Sequence, residues 1–169
     1  MYKRQPFTLN NQVVSSTLCR NLIAEGKVKE VSYYLGRYYL IEGIVVKGLQ
    51  IGNQLGFPTA NIKSPNEVYP KNGVYAVKVG YKGNIFDGAC SIGMNPTFGR
   101  HSLTVEVFIF DFHKEIYGEN LKLVFIERIR GMQKFSSPDE LASQISKDIN
   151  KAKSILQKIR ISFKQPEFI

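Results

Sequence analysis

A chain of 169 residues, 43% hydrophobic and 12% aromatic, is enough for one globular domain with a real core and a short appendage. No apolar run approaches the about 20 residues of a membrane span, and the N-terminus carries no signal-like apolar stretch, so the composition points to a cytoplasmic protein. The net charge of +9 favours anionic partners, from nucleotides to nucleic acid, but Lys147, Lys151, Lys153, Lys158, Arg160 and Lys164 fall late and suit a solvated surface.

Residues 14–35 predict two short helices. Ser15, Ser16 and Thr17 can cap the first, which runs through Leu22 and Ile23 to Gly26. The second puts Val28, Val31 and Leu35 on one stripe and ends at Gly36. From Tyr38 the pattern turns to strands: 38–47, 59–62, 73–81, one through Phe86, Ala89 and Ile92, then 103–110 and 120–127. Lys82-Gly83-Asn84 and Tyr117-Gly118-Glu119 carry turn chemistry. Strands at this spacing, with no helices between them, predict a mainly β antiparallel barrel or sandwich and not a βαβ sheet. A last helix starts at Ser137 as N-cap, with Pro138 at its first position and Glu140 completing a capping box. Its stripe of Leu141, Ile145, Ile149, Ala152, Leu156 and Ile159 is expected to pack on the outside of the barrel. The chain thus divides into a helical piece 1–36, a barrel with its C-terminal helix 37–162, and a tail 163–169.

Cys19 and Cys90 fit neither a disulfide framework nor a zinc pattern, and His101 and His113 have no companions at ligand spacing. The stretch Leu55-Gly56-Phe57-Pro58-Thr59-Ala60-Asn61 is more informative. Pro58 pushes Phe57 into extended backbone, and residues two apart in an extended run point the same way. Thr59 and Asn61 therefore present two neutral oxygens from one side, which suits Mg²⁺ held mainly by phosphates and water. Upstream, Gly48, Gly52 and Gly56 would let backbone approach phosphates; an ordinary glycine-rich turn is the alternative. In strand 103–110, Glu106 shares a face with Thr104, Phe108 and Phe110, while Val105, Val107 and Ile109 occupy the other. A carboxylate among aromatics should have a raised pKa and serve as a general base; a Glu at a barrel edge or mouth, paired with a lysine, is the alternative. Neither the P-loop pattern nor the protein-kinase set occurs.

The stretch Gly48–Asn61 resembles the signature loop of riboflavin kinases. Asn72-Gly73-Val74-Tyr75, Ile92-Gly93-Met94-Asn95-Pro96-Thr97-Phe98-Gly99, Val105-Glu106, Ile109-Phe110-Asp111-Phe112, Tyr117-Gly118 and Lys134-Phe135 follow in the family's order, so the resemblance spans about residues 38–156. It implies a six-stranded antiparallel Greek-key barrel that transfers the γ-phosphoryl group of ATP to the 5′-hydroxyl of riboflavin, giving FMN and ADP. By resemblance, Gly48, Gly52 and Gly56, helped by Lys47, would hold the phosphates, Thr59 and Asn61 would hold Mg²⁺, and Glu106 would be the base. Asn95, in Asn95-Pro96-Thr97, would sit in a loop near the nucleotide, and the same residues read equally as a turn. Residues 129–135 match a segment that covers the flavin as a mobile flap, with Arg130 and Phe135 as flavin-binding positions; Phe135 reads equally as a hydrophobic staple before Ser137. Met132 stands where the family often has an acidic residue.

Val14-Ser15-Ser16-Thr17-Leu18-Cys19-Arg20 resembles the motif that closes the FMN adenylyltransferase module of bacterial bifunctional FAD synthetases, with Cys19 in an aliphatic position. No His-x-Gly-His motif is present, so no adenylyltransferase activity is expected. The expected partners are ATP and riboflavin, without nucleic acid or membrane, for a module that is a monomer. A basic β-barrel binding single-stranded nucleic acid and a non-catalytic flavin-binding module are the alternatives.

Overall fold

A computed structural model describes residues 7–9, 11–48, 52, 55–97 and 100–161. The chain enters through a two-stranded ribbon that the sequence pattern does not anticipate, β1 (Thr8–Leu9) against β2 (Gln12–Val13). Two helices follow, α1 (Ser16–Ala24) and α2 (Val28–Leu35). Their ends have the expected causes. The Ser15 side chain accepts a hydrogen bond from the Leu18 amide at 3.1 Å, and Gly36 closes α2 in the left-handed region at φ 67°.

Six strands then build the barrel: β3 (Tyr39–Val46), β4 (Ala60–Lys63), β5 (Gly73–Tyr81), β6 (Asn84–Thr97), β7 (Arg100–Ile109) and β8 (Asn120–Arg130). They close in the order β3-β4-β7-β6-β5-β8 with every pair antiparallel. The strands β5, β6 and β7 are successive hairpins and β8 returns beside β5, which is the Greek-key connection. Closure leaves no open sheet edge in the barrel. Two segments differ from expectation. Asn95-Pro96-Thr97 does not turn but continues β6, with Pro96 opposite His101 near the end of the ladder, where a missing amide is tolerated. Strand β8 runs to Arg130 and takes up Ile129 and Arg130, the first residues of the expected flap.

Alternation sorts the side chains into two layers. Ile41, Tyr75, Val77, Val107, Leu123 and Phe125 fill the barrel interior with no exposure. Val28 joins that cluster and anchors the helical hairpin to the barrel. Val74, Ala76, Phe110, Val124 and Ile126 point outward and are covered by Ala152 and Leu156 of α3 (Pro138–Leu156). Burying a leucine such as Leu156 contributes about 1.5–3 kcal/mol, which fixes the C-terminal half of α3 on the wall. Among the described residues, no helix is long and apolar enough to cross a membrane.

At the start of α3, the Ser137 hydroxyl accepts from the Glu140 amide at 3.2 Å. The reciprocal arm of the box is displaced by one residue, since Glu140 Oε2 accepts from the Ser136 amide at 2.8 Å. Ser137→Ala is expected to lower stability by about 1 kcal/mol, read as a lower urea midpoint with an unchanged slope.

Candidate active site

The register of β4, β6 and β7 positions the chemistry. Asn61 stands opposite Glu106 across β4 and β7, and Ser91 stands opposite Glu106 across β6 and β7. Directly opposed residues of an antiparallel pair share a face. Val105 and Val107 take the interior, so Asn61, Ser91, Glu106 and Phe108 lie on the outer wall. These residues therefore face away from the barrel interior, and the edge-or-mouth position offered as the alternative for Glu106 is replaced by one on the outer wall. Both faces of β7 are apolar because one lines the interior and the other is roofed by α3.

A cavity of about 320 Å³ occupies the space between wall and helix. Ser91, Glu106 and Phe108 form its floor, and Leu141, Ile145 and Ile149 form its roof. Only the C-terminal part of the α3 stripe packs on the wall; its first turns face this cavity. Phe57 enters from the loop before β4 and meets Phe108 edge-on, with ring centroids 5.8 Å apart at 89°. A second cavity of about 330 Å³ lies on the other side of Pro58 and Thr59, lined also by His113, Lys114 and Tyr117. Thr59 belongs to both. Its hydroxyl donates to Glu106 Oε2 at 3.5 Å, and Glu106 itself lines the first cavity.

Burial pushes the Glu106 carboxyl above the usual carboxylate range, and the Thr59 hydrogen bond opposes this with a smaller effect. Among the described residues no lysine or arginine forms an ion pair with it, so the lysine-paired alternative has no support.

The glycines before β4 have local causes. A Cβ on Gly48 would run into the Asn61 amide, whose Oδ1 would lie 2.6 Å away. A Cβ on Gly52 would lie 2.5 Å from the Phe57 carbonyl, and the Gly52 carbonyl accepts from the Leu55 and Phe57 amides at 3.2 and 2.8 Å. Gly56 turns at φ 80°. Residues 49–51 and 53–54 lie outside the described residues, as does the side chain of Asn95, whose backbone pairs with Ser102. Lys47 is exposed just after β3, beside Gly48.

A family model described as flavokinase, riboflavin kinase, matches residues 35–156. The chain belongs to the riboflavin kinase family. The family is named for a kinase that phosphorylates an alcohol group, that of riboflavin. The bifunctional riboflavin kinase/FMN adenylyltransferase of Haemophilus influenzae is 42% identical over 149 residues, covering 88% of this chain and 48% of that protein. The Bacillus subtilis protein of the same description is 38% identical over 152 residues, again 88% and 48%. The chain spans about half the length of these curated relatives. Among solved structures, riboflavin kinase from Trypanosoma brucei superposes with a TM-score of 0.53 at 31% identity, over 70% of this chain and 80% of that one. A Streptococcus pneumoniae structure described as a macrolide-efflux protein gives 0.83 at 36% identity, over 88% and 49%.

In this member of the riboflavin kinase family, Arg130 and Phe135 both line the first cavity, but the polar edge of Arg130 is directed into the protein. Its Nε donates to Asp148 at 2.9 and 3.0 Å, its Nη2 lies 2.8 Å from Asp148 Oδ2, and its Nη1 donates to the Gly131 carbonyl at 2.9 Å. Asp148 is 5% exposed and belongs to no motif in the sequence. The available signal is a carboxylate three residues from Ile145 and four from Ala152, on the apolar stripe of α3.

Proposed function

We propose that this riboflavin kinase places riboflavin in the cavity beneath α3 and ATP in the cavity beyond Pro58, with phosphoryl transfer at Glu106 between them. The observation that carries the reading is that Thr59 lines both cavities and donates to the carboxylate of Glu106, which lines the first. The first space is walled by leucine, isoleucine and phenylalanine, as a planar apolar ring system requires. The second is lined by His113, Lys114 and Glu115 beside Thr59, with Val107, Ile109 and Ile116 behind them, so any attraction for the phosphates must come from Mg²⁺ and the loop before β4 rather than from the lining charge.

Phosphoryl transfer asks the protein chiefly for positioning and charge neutralisation. Glu106 takes the proton of the terminal ribityl hydroxyl as its oxygen forms a bond to the γ-phosphorus. The bond from that phosphorus to the bridging oxygen breaks, and the electron pair leaves with ADP. Among the described residues no three His, Cys, Asp or Glu are placed to hold a metal. Thr59 and Asn61 offer neutral oxygens, a donor set that fits Mg²⁺ bound mostly by phosphates and water and not by a protein cage. The ion would neutralise the β- and γ-phosphates when bound. Thr59 orients the carboxylate, and Phe57 and Phe108 exclude water from its acceptor side. By resemblance, the backbone of Gly48 and Gly56, with Lys47 and Asn95, is assigned to the phosphates from the loop side, outside the lining of the second cavity, while Gly52 borders the first. No adenylyl transfer is assigned to residues 1–169.

Incubation with ATP, MgCl₂ and riboflavin, followed by chromatographic separation of flavins, is expected to yield FMN without FAD. Unchanged riboflavin would defeat the proposal, and FAD would defeat its second part.

A further inference from the structure

The cavity beneath α3 has a roof on one element and a floor on another, so something must set the distance between them. We infer that Asp148, acting through Arg130, is a positioning residue that fixes the height of the acceptor cavity and hence the affinity for the flavin. This rests on the assignment of that cavity to riboflavin. Arg130 is the last residue of β8, and Asp148 lies in the middle of α3, between the roof residues Ile145 and Ile149 and the packed Ala152. The seven residues 131–137 that join the two elements have no helix or strand of their own and carry Met132 and Phe135 into the cavity wall. The ion pair closes this loop on itself.

The geometry is more constraining than a single surface pair. The carboxylate accepts from Nε and Nη2 of the same guanidinium, a fork-to-fork arrangement that fixes orientation as well as distance. Gln144 Nε2 adds a third donor to Asp148 Oδ1 at 2.9 Å from one turn earlier on the helix. Arg130 then spends Nη1 on the Gly131 carbonyl and lays its charged face on the Phe135 ring, 5.7 Å from the centroid. One buried group thus ties strand, loop and helix together. Desolvation offsets much of the attraction in a buried ion pair, so its net contribution to stability is small; the role inferred for this one is to specify an arrangement. Here that arrangement is the separation of Leu141, Ile145 and Phe135 from Phe108 and Glu106. Because the second cavity shares none of these residues, the effect should be confined to the acceptor.

The test compares wild type with Asp148→Asn, Arg130→Lys and Gln144→Ala in the full chain. Riboflavin binding is read by quenching of flavin fluorescence, and steady-state constants are read for both substrates. Asp148→Asn and Arg130→Lys should weaken riboflavin binding and raise the riboflavin KM tenfold or more, while the ATP KM stays within about twofold. Gln144→Ala leaves the fork intact and guards against loss of folding; it should give a smaller shift in the same direction. A rise of both KM values together, or folded variants with wild-type riboflavin affinity, overturns the inference, as does a wild type that binds no riboflavin. Wild type that binds riboflavin without phosphorylating it would instead overturn the proposed function and leave the binding comparison decisive.

Discussion

Glu106→Gln is expected to lower kcat by about 10²–10⁴-fold while leaving both KM values nearly unchanged. The amide keeps the size of the side chain and an oxygen that accepts from Thr59, so the ground-state site is preserved and only proton abstraction is lost. A loss that appears equally in KM would mean that Glu106 binds substrate without acting as a base. The pH profile is a second readout. A base works deprotonated, and burial raises the pKa of this one. The rate should therefore fall as pH is lowered through that raised value, on an acid limb displaced upward from where an ordinary carboxylate would put it. Glu106→Gln should flatten the limb.

Stability should move the other way. A carboxyl whose folded pKa lies above its unfolded one binds more protons in the native state across the interval between them. Stability then declines as pH rises through that interval, and the penalty is fully present above it. The amide carries no such penalty. At neutral pH, Glu106→Gln is expected to melt no lower than wild type, and a markedly lower melting temperature would show that the carboxylate makes a stabilising contact. Lost turnover with retained or raised stability is the signature of a group kept charged for its chemistry.

Local signals read this fold well where they were unambiguous. The limits of β5 follow from Asn72-Gly73 and from the turn at Lys82 and Gly83, which take φ 45° and 80°. The start of α3 follows from Ser137 and Pro138. Pro96 misleads because proline signals a turn, whereas here it sits in a ladder that has only one more pair to make. The α3 stripe is legible as apolar, but periodicity cannot tell a side chain that fills a core from one that roofs a cavity. Ile145 and Ala152 look alike in sequence and differ in what lies beneath them. The two apolar faces of β7 are the more useful clue. A barrel strand needs only one apolar face, so a second one implies a covering element, and that places Glu106 outside the barrel and under the helix.

Gly48→Ala is expected to act through Asn61. The sequence offers Gly48 as a point of close phosphate approach, but in the structure the space of its missing side chain is occupied by the Asn61 amide. A methyl group there must displace the side-chain amide of Asn61, the residue paired with Glu106 across β4 and β7. If Asn61 helps to hold the magnesium-bound nucleotide, Gly48→Ala should raise the KM for MgATP by about 10- to 100-fold, the range for losing one hydrogen bond to a charged partner. Asn61→Ala should do the same. Because both changes remove one interaction, Gly48→Ala with Asn61→Ala together should be no worse than either alone. Riboflavin binding should be retained in all three, since neither residue lines that cavity. Losses that multiply in the double variant would separate Gly48 from Asn61 and return the glycine to a direct role against the phosphates.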